Sequence, residues 1–468
     1  SVSAKTFASS SRQKSIVPAA RLIFTVSIAL SPQKSSVPLF EAQTEVARGI
    51  ADAVKKNSPV PTKLGQMSSQ PAAHSAEGRR WHEHFDALTI NGRVAHRPNF
   101  AGYAEKTGKE KCNSVLLLDV QRDFRPPWCE VAPEIENIPM TRWTKSDTQT
   151  WSEMVIAQLF AADALLLDLF PFAANSAKEE PQIGELLDKS RPALEWIGLR
   201  FGKTLSTRGM GCPWREDAQA HVRTGAGKSL KELDASSLIS GTFLMQYGVA
   251  CSTRLQKINS LFGSIVWAYD DNEIRDLLSG GLLLDGRSAM ILCERGFAPL
   301  IGLEMDEGFV NRQKATYAVE TTVSQKTGLD KDIYLEYNNV PSTGRIKRLM
   351  KGAEEWTSIL TPEKEKFSPG IVTFRNKLGG RIAVFPVSNP VSLSRNFHRQ
   401  TILHNLVRYM STDRFDSVLV SGAPYCSPIH FEEPGRTVVV VMNGGTDPTS
   451  PVINVPFKKR PASATLLC

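Results

Sequence analysis

The stretch Trp128–Pro139, WCEVAPEIENIP, decides how the chain is read. It predicts a short strand over Glu130–Glu136 that ends in two carboxylates, Glu134 and Glu136, with Asn137 and the strand-stopping Pro139 behind them. Pro133 lies inside that strand, an awkward place because proline has no N–H for a ladder bond. Side chains two residues apart on a strand point the same way, with Cα atoms about 6.5–7 Å apart, so Glu134 and Glu136 form a local acid pair. In parallel barrels the groups that do chemistry stand at the C-terminal ends of strands.

Working outward, strand-like and helix-like segments alternate. Glu41–Lys56 has helical spacing, with Val46, Ile50 and Val54 on one face. Thr62–Ser69 reads as a strand running into the loop Gln70–Arg80, which carries His74 and Glu77. A helix over Trp81–Leu88, a strand over Arg93–Pro98 ending in His96 and Arg97, and a helix over Val115–Asp123 follow. Beyond the opening stretch come an amphipathic helix over Thr148–Ala161, a fully buried strand over Asp163–Phe170 and a helix over Ile183–Phe201. This alternation implies parallel βα units. Each strand-end residue has a plain structural role open to it: His74 as a loop histidine, Arg97 paired to a carboxylate, Asp168 as a buried acid. Their recurrence at equivalent ends of successive strands points to a shared site.

HSAEGRRWHEHFDAL, VAHRPNFAGYAE, PEIENIPMTRWTKS and ADALLLDLFPF together resemble the second half of the catalytic barrel of the family 42 β-galactosidases. The resemblance covers roughly residues 42–468. It implies an α/β chain: a partial (β/α)8 TIM-type barrel, a flavodoxin-like trimerisation domain and a small C-terminal β-sandwich. The expected boundaries are 41–212, 213–410 and 411–468. In that family the seventh strand ends in a nucleophilic Glu followed three residues later by Pro, a spacing that Glu136 and Pro139 keep. The resemblance therefore implies a retaining glycoside hydrolase acting on β-galactosides or related β-glycosides. Glu136 would be its nucleophile and Glu134 the next candidate. His74, Glu77, His96 and Arg97 would line the sugar site, with Trp143 or Trp81 stacking on a ring, although core packing suits Trp81 better. A carbohydrate substrate and a homotrimer are implied, and no metal or organic cofactor.

A retaining mechanism needs a second carboxyl about 5–5.5 Å from the nucleophile. In the resembling enzymes it comes from the end of the fourth strand. If Leu22–Leu30 is that strand, its exit SPQKSS holds no carboxylate, and the first acid is Glu41. The general acid and strands one to three are then not identifiable, so either they precede this sequence or the copy is a catalytically inactive relic that binds carbohydrate or assembles. Ser1–Phe40 has no Asp or Glu and ten Ser, the composition of a targeting segment or of degraded barrel sequence. The cytoplasm is the expected compartment.

In the middle region Val222–Leu230, VRTGAGKSL, suggests a phosphate loop but lacks its first glycine, so a flexible loop is the better account. Asp271–Leu303 reads as helix, a Gly280-Gly281 stop with a left-handed cap, strand, helix, strand, with Asp285 capping a turn. GGRIAVFP from Gly379 is a strand, and Gln400–Met410 a helix. Ser417–Val420, Thr437–Met442 and Val452–Phe457 are expected as sandwich strands, and Ser206–Arg215 as a polar linker. Composition excludes little: the net charge of +8 comes from scattered Lys and Arg with no nucleic-acid motif. The seven Cys show no CxxC spacing, and no apolar run is long enough to span a membrane.

Overall fold

The computed structural model describes residues 39–100, 102–103, 108–137, 144–171, 176–225, 227–233, 235–310, 319–336, 343–387, 390–393, 396–445 and 447–457. The segment before residue 39, Pro139 and Trp143 lie outside the described residues. Helix α1 (Leu39–Asn57) opens the described chain, with Glu41 in its first turn and Lys55 and Lys56 in its last, matching the helix dipole. Strands β1 (Leu64–Met67), β2 (Val94–Arg97), β3 (Glu130–Val131), β4 (Glu134–Glu136) and β5 (Leu166–Asp168) follow. Between them run α2 (Pro71–Ala76), α3 (Trp81–Leu88), α4 (Gly108–Asp123) and α5 (Asp147–Leu159); α6 (Pro181–Gly198) comes after β5.

All of these strands pair in parallel: β1 with β2, β2 with β3, and β4 with β5. β3 and β4 are one strand interrupted at Pro133. Across the break Ala132 N–H still donates to the His96 carbonyl at 2.9 Å and Leu166 N–H to the Pro133 carbonyl at 2.9 Å. The expected order of parallel βα units is therefore present, and among the described residues these strands form an open sheet, not a closed ring. Under it lies an aromatic core in which Trp81 and Phe124 stack at 4.3 Å and Phe85 meets His96 edge-on at 5.0 Å. Trp81 is thus a core residue, fully buried, with its indole N–H on Ser75 Oγ at 3.2 Å. Burying each such ring contributes roughly 1.5–3 kcal/mol. One expectation fails: Asp163–Phe170 is not a fully buried strand. Only Leu166–Asp168 is extended, and Leu167 is 41% exposed, because β5 is the edge of the sheet.

The stretch expected as a linker at Ser206–Arg215 instead holds β6 (Ser206–Arg208) and β7 (Met210–Gly211). Its glycines are needed for contact: a Cβ on Gly209 would lie 2.1 Å from the Ala250 carbonyl oxygen. After α7 (Ala218–His221) and α8 (Leu238–Gln246) come β8 (Cys251–Ser252), β9 (Ile258–Leu261), α9 (Asp271–Ser279), β10 (Gly281–Asp285), α10 (Gly286–Glu294) and α11 (Ala298–Ile301). An antiparallel excursion follows. It pairs β11 (Leu303–Val310) with β14 (Thr343–Leu349). It also builds a four-stranded sheet from β12 (Val319–Thr322), β13 (Tyr334–Glu336), β16 (Thr357–Leu360) and β17 (Lys366–Pro369). The chain then returns through β18 (Val372–Arg375) and β19 (Arg381–Phe385), which with β15 (Glu354–Glu355), met on the way, complete a seven-stranded sheet of order β15-β18-β19-β10-β9-β7-β8.

Five of its strands, β8, β7, β9, β10 and β19, are parallel. Numbered along the chain, their order is 2-1-3-4-5, that of a doubly wound sheet with a switch point between the first and third strands. Alternation splits the two faces: Leu282, Leu284, Ile382 and Val384 pack with Ile274 of α9 and Leu292 of α10. Leu283, Ala383 and Phe385 join the main core with Phe243 of α8 and Leu403 of α12 (His398–Ser411). Asp285 caps α10, as expected, accepting from Ser288 N–H at 2.8 Å and Gly263 N–H at 2.9 Å. Gly280, in contrast, ends α9 in extended backbone at φ −97°, not in the left-handed region. Close approach demands the neighbouring glycine instead: a Cβ on Gly281 would sit 2.5 Å from Ile258 Cγ2.

In the C-terminal region β20 (Leu419–Ser421) pairs with β23 (Val452–Asn454), and β22 (Arg436–Asn443) with β21 (Cys426–Glu433). β21, which carries Pro428, is a strand that sequence patterning misses, and its other edge pairs with β6. Pro428 is tolerated because the β6 pairing stops at His430. Among the described residues no helix is long and apolar enough to cross a membrane.

Candidate active site

Alternation along β2 and β4 builds the site. Val94 and His96 face the helices and are buried, as is Ile135, so Arg97, Glu134 and Glu136 share the opposite face. The Arg97 guanidinium contacts the Glu134 carboxylate, and its Nη2 stands 3.6 Å from Glu136 Oε1. Side chains of Glu134 and Glu136 are 14% and 12% exposed, so the pair is mostly withdrawn from water and the cation between them offsets their repulsion. The Tyr103 hydroxyl donates to Glu134 Oε2 at 3.1 Å, and burial pushes that phenol up to about 12, so it stays a donor at neutral pH. On the neighbouring strand Asp168 stands in register with Glu136.

The strand end that carries Glu136 is held from behind. Asn137 N–H donates to the Asp168 carbonyl at 2.9 Å, and Asn137 Nδ2 to the Leu169 carbonyl at 3.0 Å. Lys145 Nζ donates to the Glu136 carbonyl and pairs with Glu153 Oε2 of α5 at 2.8 Å. Gln149 Nε2 reaches Glu153 Oε1 at 3.2 Å. Both charged side chains are shut from solvent, and burial raises the Glu153 carboxyl to about 7 against the pull of Lys145. Tyr103, Lys145 and Glu153 escape sequence reasoning. The available signal was a Lys and a Glu set among the apolar positions around α5, whose N-cap Ser146 accepts from Gln149 N–H.

The remaining predicted residues do not join this cluster. His96 is the clearest correction. It is 1% exposed, bonded to Ser68 Oγ at 2.9 Å and wedged against Phe85, and burial keeps its imidazole neutral. One residue from Arg97 on a strand, it must point to the opposite face, so it cannot line a sugar pocket there. His74 and Glu77 lie just past β1, at the same end of the sheet as Glu136. Their bonds are to each other at 3.0 Å and from His74 to Ser69 Oγ at 2.7 Å, not to the carboxylates. Burial, with the Arg79 charge, holds His74 below its usual value. Trp143 lies outside the described residues. Among the described residues no group of three or more His, Cys, Asp or Glu is placed to hold a metal. The suspected phosphate loop is occupied by its own chain: Gly227, Lys228 and Ser229 N–H all donate to the Glu232 carboxylate.

No family model and no curated protein matches the sequence. Solved structures do. The chain is similar in fold to α-L-fucosidase isoenzyme 2 from Paenibacillus thiaminolyticus, with a TM-score of 0.50, 11% identity, and 84% of this chain and 67% of that one covered. It also matches an exo-β-1,4-mannosidase from Opitutaceae bacterium strain TAV5, with a TM-score of 0.44, 12% identity and coverage of 82% and 80%. At this identity the first likeness shows a shared fold and nothing more.

Proposed function

We propose that the chain is a retaining glycoside hydrolase acting on a β-linked galactoside or a related β-glycoside, with Glu136 as nucleophile. The observation that carries this reading is the Glu134–Arg97–Glu136 cluster at the C-terminal end of a parallel strand. Glu136 would attack the anomeric carbon while a carboxylic acid protonates the departing oxygen. Water would then hydrolyse the glycosyl ester, with the same residue, now a carboxylate, taking its proton. Asp168 suits the acid better than Glu134. It is the register partner of Glu136 on the adjacent parallel strand, so the two side chains leave the sheet on one face, and retention needs their carboxyls about 5–5.5 Å apart. Glu134 is engaged by Arg97 and Tyr103 and would hold the arginine in place.

The test is turnover of an aryl β-galactoside by the intact chain, together with capture by a 2-deoxy-2-fluoro glycoside mapped by peptide mass spectrometry. Label on Glu136, and loss of turnover in Glu136→Gln, are expected; label elsewhere refutes the assignment. One observation favours a second reading, a non-catalytic relic: among the described residues the first parallel sheet is left open at β1 and β5. Sugar binding without turnover, equal in wild type and Glu136→Gln, would select it. The doubly wound sheet is proposed as the assembly domain of a homotrimer, which a light-scattering mass tests.

A further inference from the structure

A cleft of about 670 Å³ opens far along the chain from the carboxylate cluster, and none of Arg97, Glu134 or Glu136 lines it. That volume lies in the range of small-ligand sites. Its walls are the segments that leave β7 and β9, the two strands at which the sheet order reverses, together with Arg295 at the end of α10, and doubly wound sheets take ligands at such a reversal. Arg215 follows β7 and reaches Glu273 of α9 at 2.9 Å and Asp217 at 3.2 Å. Arg295 meets Asp271 at 2.7 Å. Arg223 lies over the Trp267 ring at 4.0 Å and Arg215 over the Tyr269 ring at 5.1 Å. Tyr269 is 4% exposed, and its hydroxyl has no hydrogen-bond partner among the described residues. The Trp267 indole N–H is in the same condition.

We infer that this cleft is a second ligand site, for a neutral polyhydroxylated molecule of the size of one or two sugar units. Charge excludes the obvious competitors. Asp217, Asp270, Asp271 and Glu273 are interleaved with Arg215, Arg223, Arg295 and His221, so neither an anion nor a cation finds a lining of one opposite sign. The N-terminus of α9 is no anion seat either, because Asp270 and Glu273 close it as a reciprocal capping box. Guanidinium N–H groups and carboxylate oxygens fixed side by side supply donor and acceptor to adjacent hydroxyls. Two buried aromatic polar groups await a partner, and leaving such groups unmatched is costly. The inference rests on the chemistry of this cleft and holds whether or not Glu136 is a nucleophile.

The experiment titrates the full chain with D-galactose, D-mannose and L-fucose, read by calorimetry and tryptophan fluorescence. Inorganic phosphate is run in parallel. Saturable binding of at least one sugar is expected. Glu273→Gln and Trp267→Ala should each weaken it by about tenfold or more. Tyr269→Phe, which keeps the ring and the packing, should weaken it by a smaller factor. Melting temperatures establish that each variant is folded. Absence of saturation with all three sugars overturns the inference, as does tighter binding of phosphate. Folded Trp267→Ala and Tyr269→Phe proteins that both bind like wild type overturn it as well.

Discussion

Replacing Lys145 by methionine removes the cation from an ion pair closed to water and the donor from the Glu136 carbonyl. Glu153 shows what the burial costs: a carboxyl moved from 4.5 to about 7 represents about 3 kcal/mol. The folded protein keeps that proton over a range in which the unfolded chain has released it. Stability therefore falls as pH rises from about 4.5 to about 7 and levels off above. In Lys145→Met only the Gln149 bond still opposes the burial at close range, so the proton is held to higher pH. The decline then continues above about pH 7 by up to about 1.4 kcal/mol per pH unit. The lost bond to the Glu136 carbonyl adds about 1 kcal/mol at any pH. The variant is thus expected to trail wild type by about 1 kcal/mol near pH 5 and by up to about 2.4 kcal/mol near pH 8. Hydrogen-exchange protection of residues 144–159, measured at both pH values, reads the local stability directly. A gap that does not widen with pH, or one below about 0.5 kcal/mol at pH 8, refutes the reasoning. Lys145→Met combined with Glu153→Leu should recover most of the loss, because a packed apolar pair replaces a buried charged one.

Arg97→Met leaves two part-buried carboxylates facing each other. If the proposed hydrolysis is correct, aryl glycoside turnover should fall by roughly a hundredfold or more, read as kcat/KM. Asp285→Ala removes the cap of α10 and should lower stability by about 1–2 kcal/mol in denaturant melts. Asp285→Asn should cost far less. Because burial raises the Asp285 carboxyl to about 6 from 3.8, wild-type stability falls across that window as pH rises, and both variants should flatten it. Gly209→Ala forces a Cβ to within 2.1 Å of the Ala250 carbonyl oxygen. It should destabilise by about 3 kcal/mol or more, seen as a lower thermal midpoint.

Local pattern was legible wherever one segment carries its own signal. The parallel strands around Glu136, the helix α5 and the helix–strand–helix run from Asp271 follow from apolar period and turn residues. So does the shared face of Glu134 and Glu136, since two residues along a strand return to the same side. The same rule set His96 against Arg97, and applying it would have removed His96 from the site in advance. What the tertiary fold alone decided is which distant segments meet. Arg97 reaches Glu134 and Glu136 only through the β2–β3 register, and Lys145 finds both Glu153 and the Glu136 carbonyl across a strand–helix junction. β21 became a strand despite Pro428 because β22 and β6 stand on either side of it. The cleft of Tyr269 exists only because β9 lies beside β7 after the chain has travelled through α8 and β8. Hydrophobic periodicity reports which side of an element is buried, whereas strand order and register are set by packing between elements far apart along the chain.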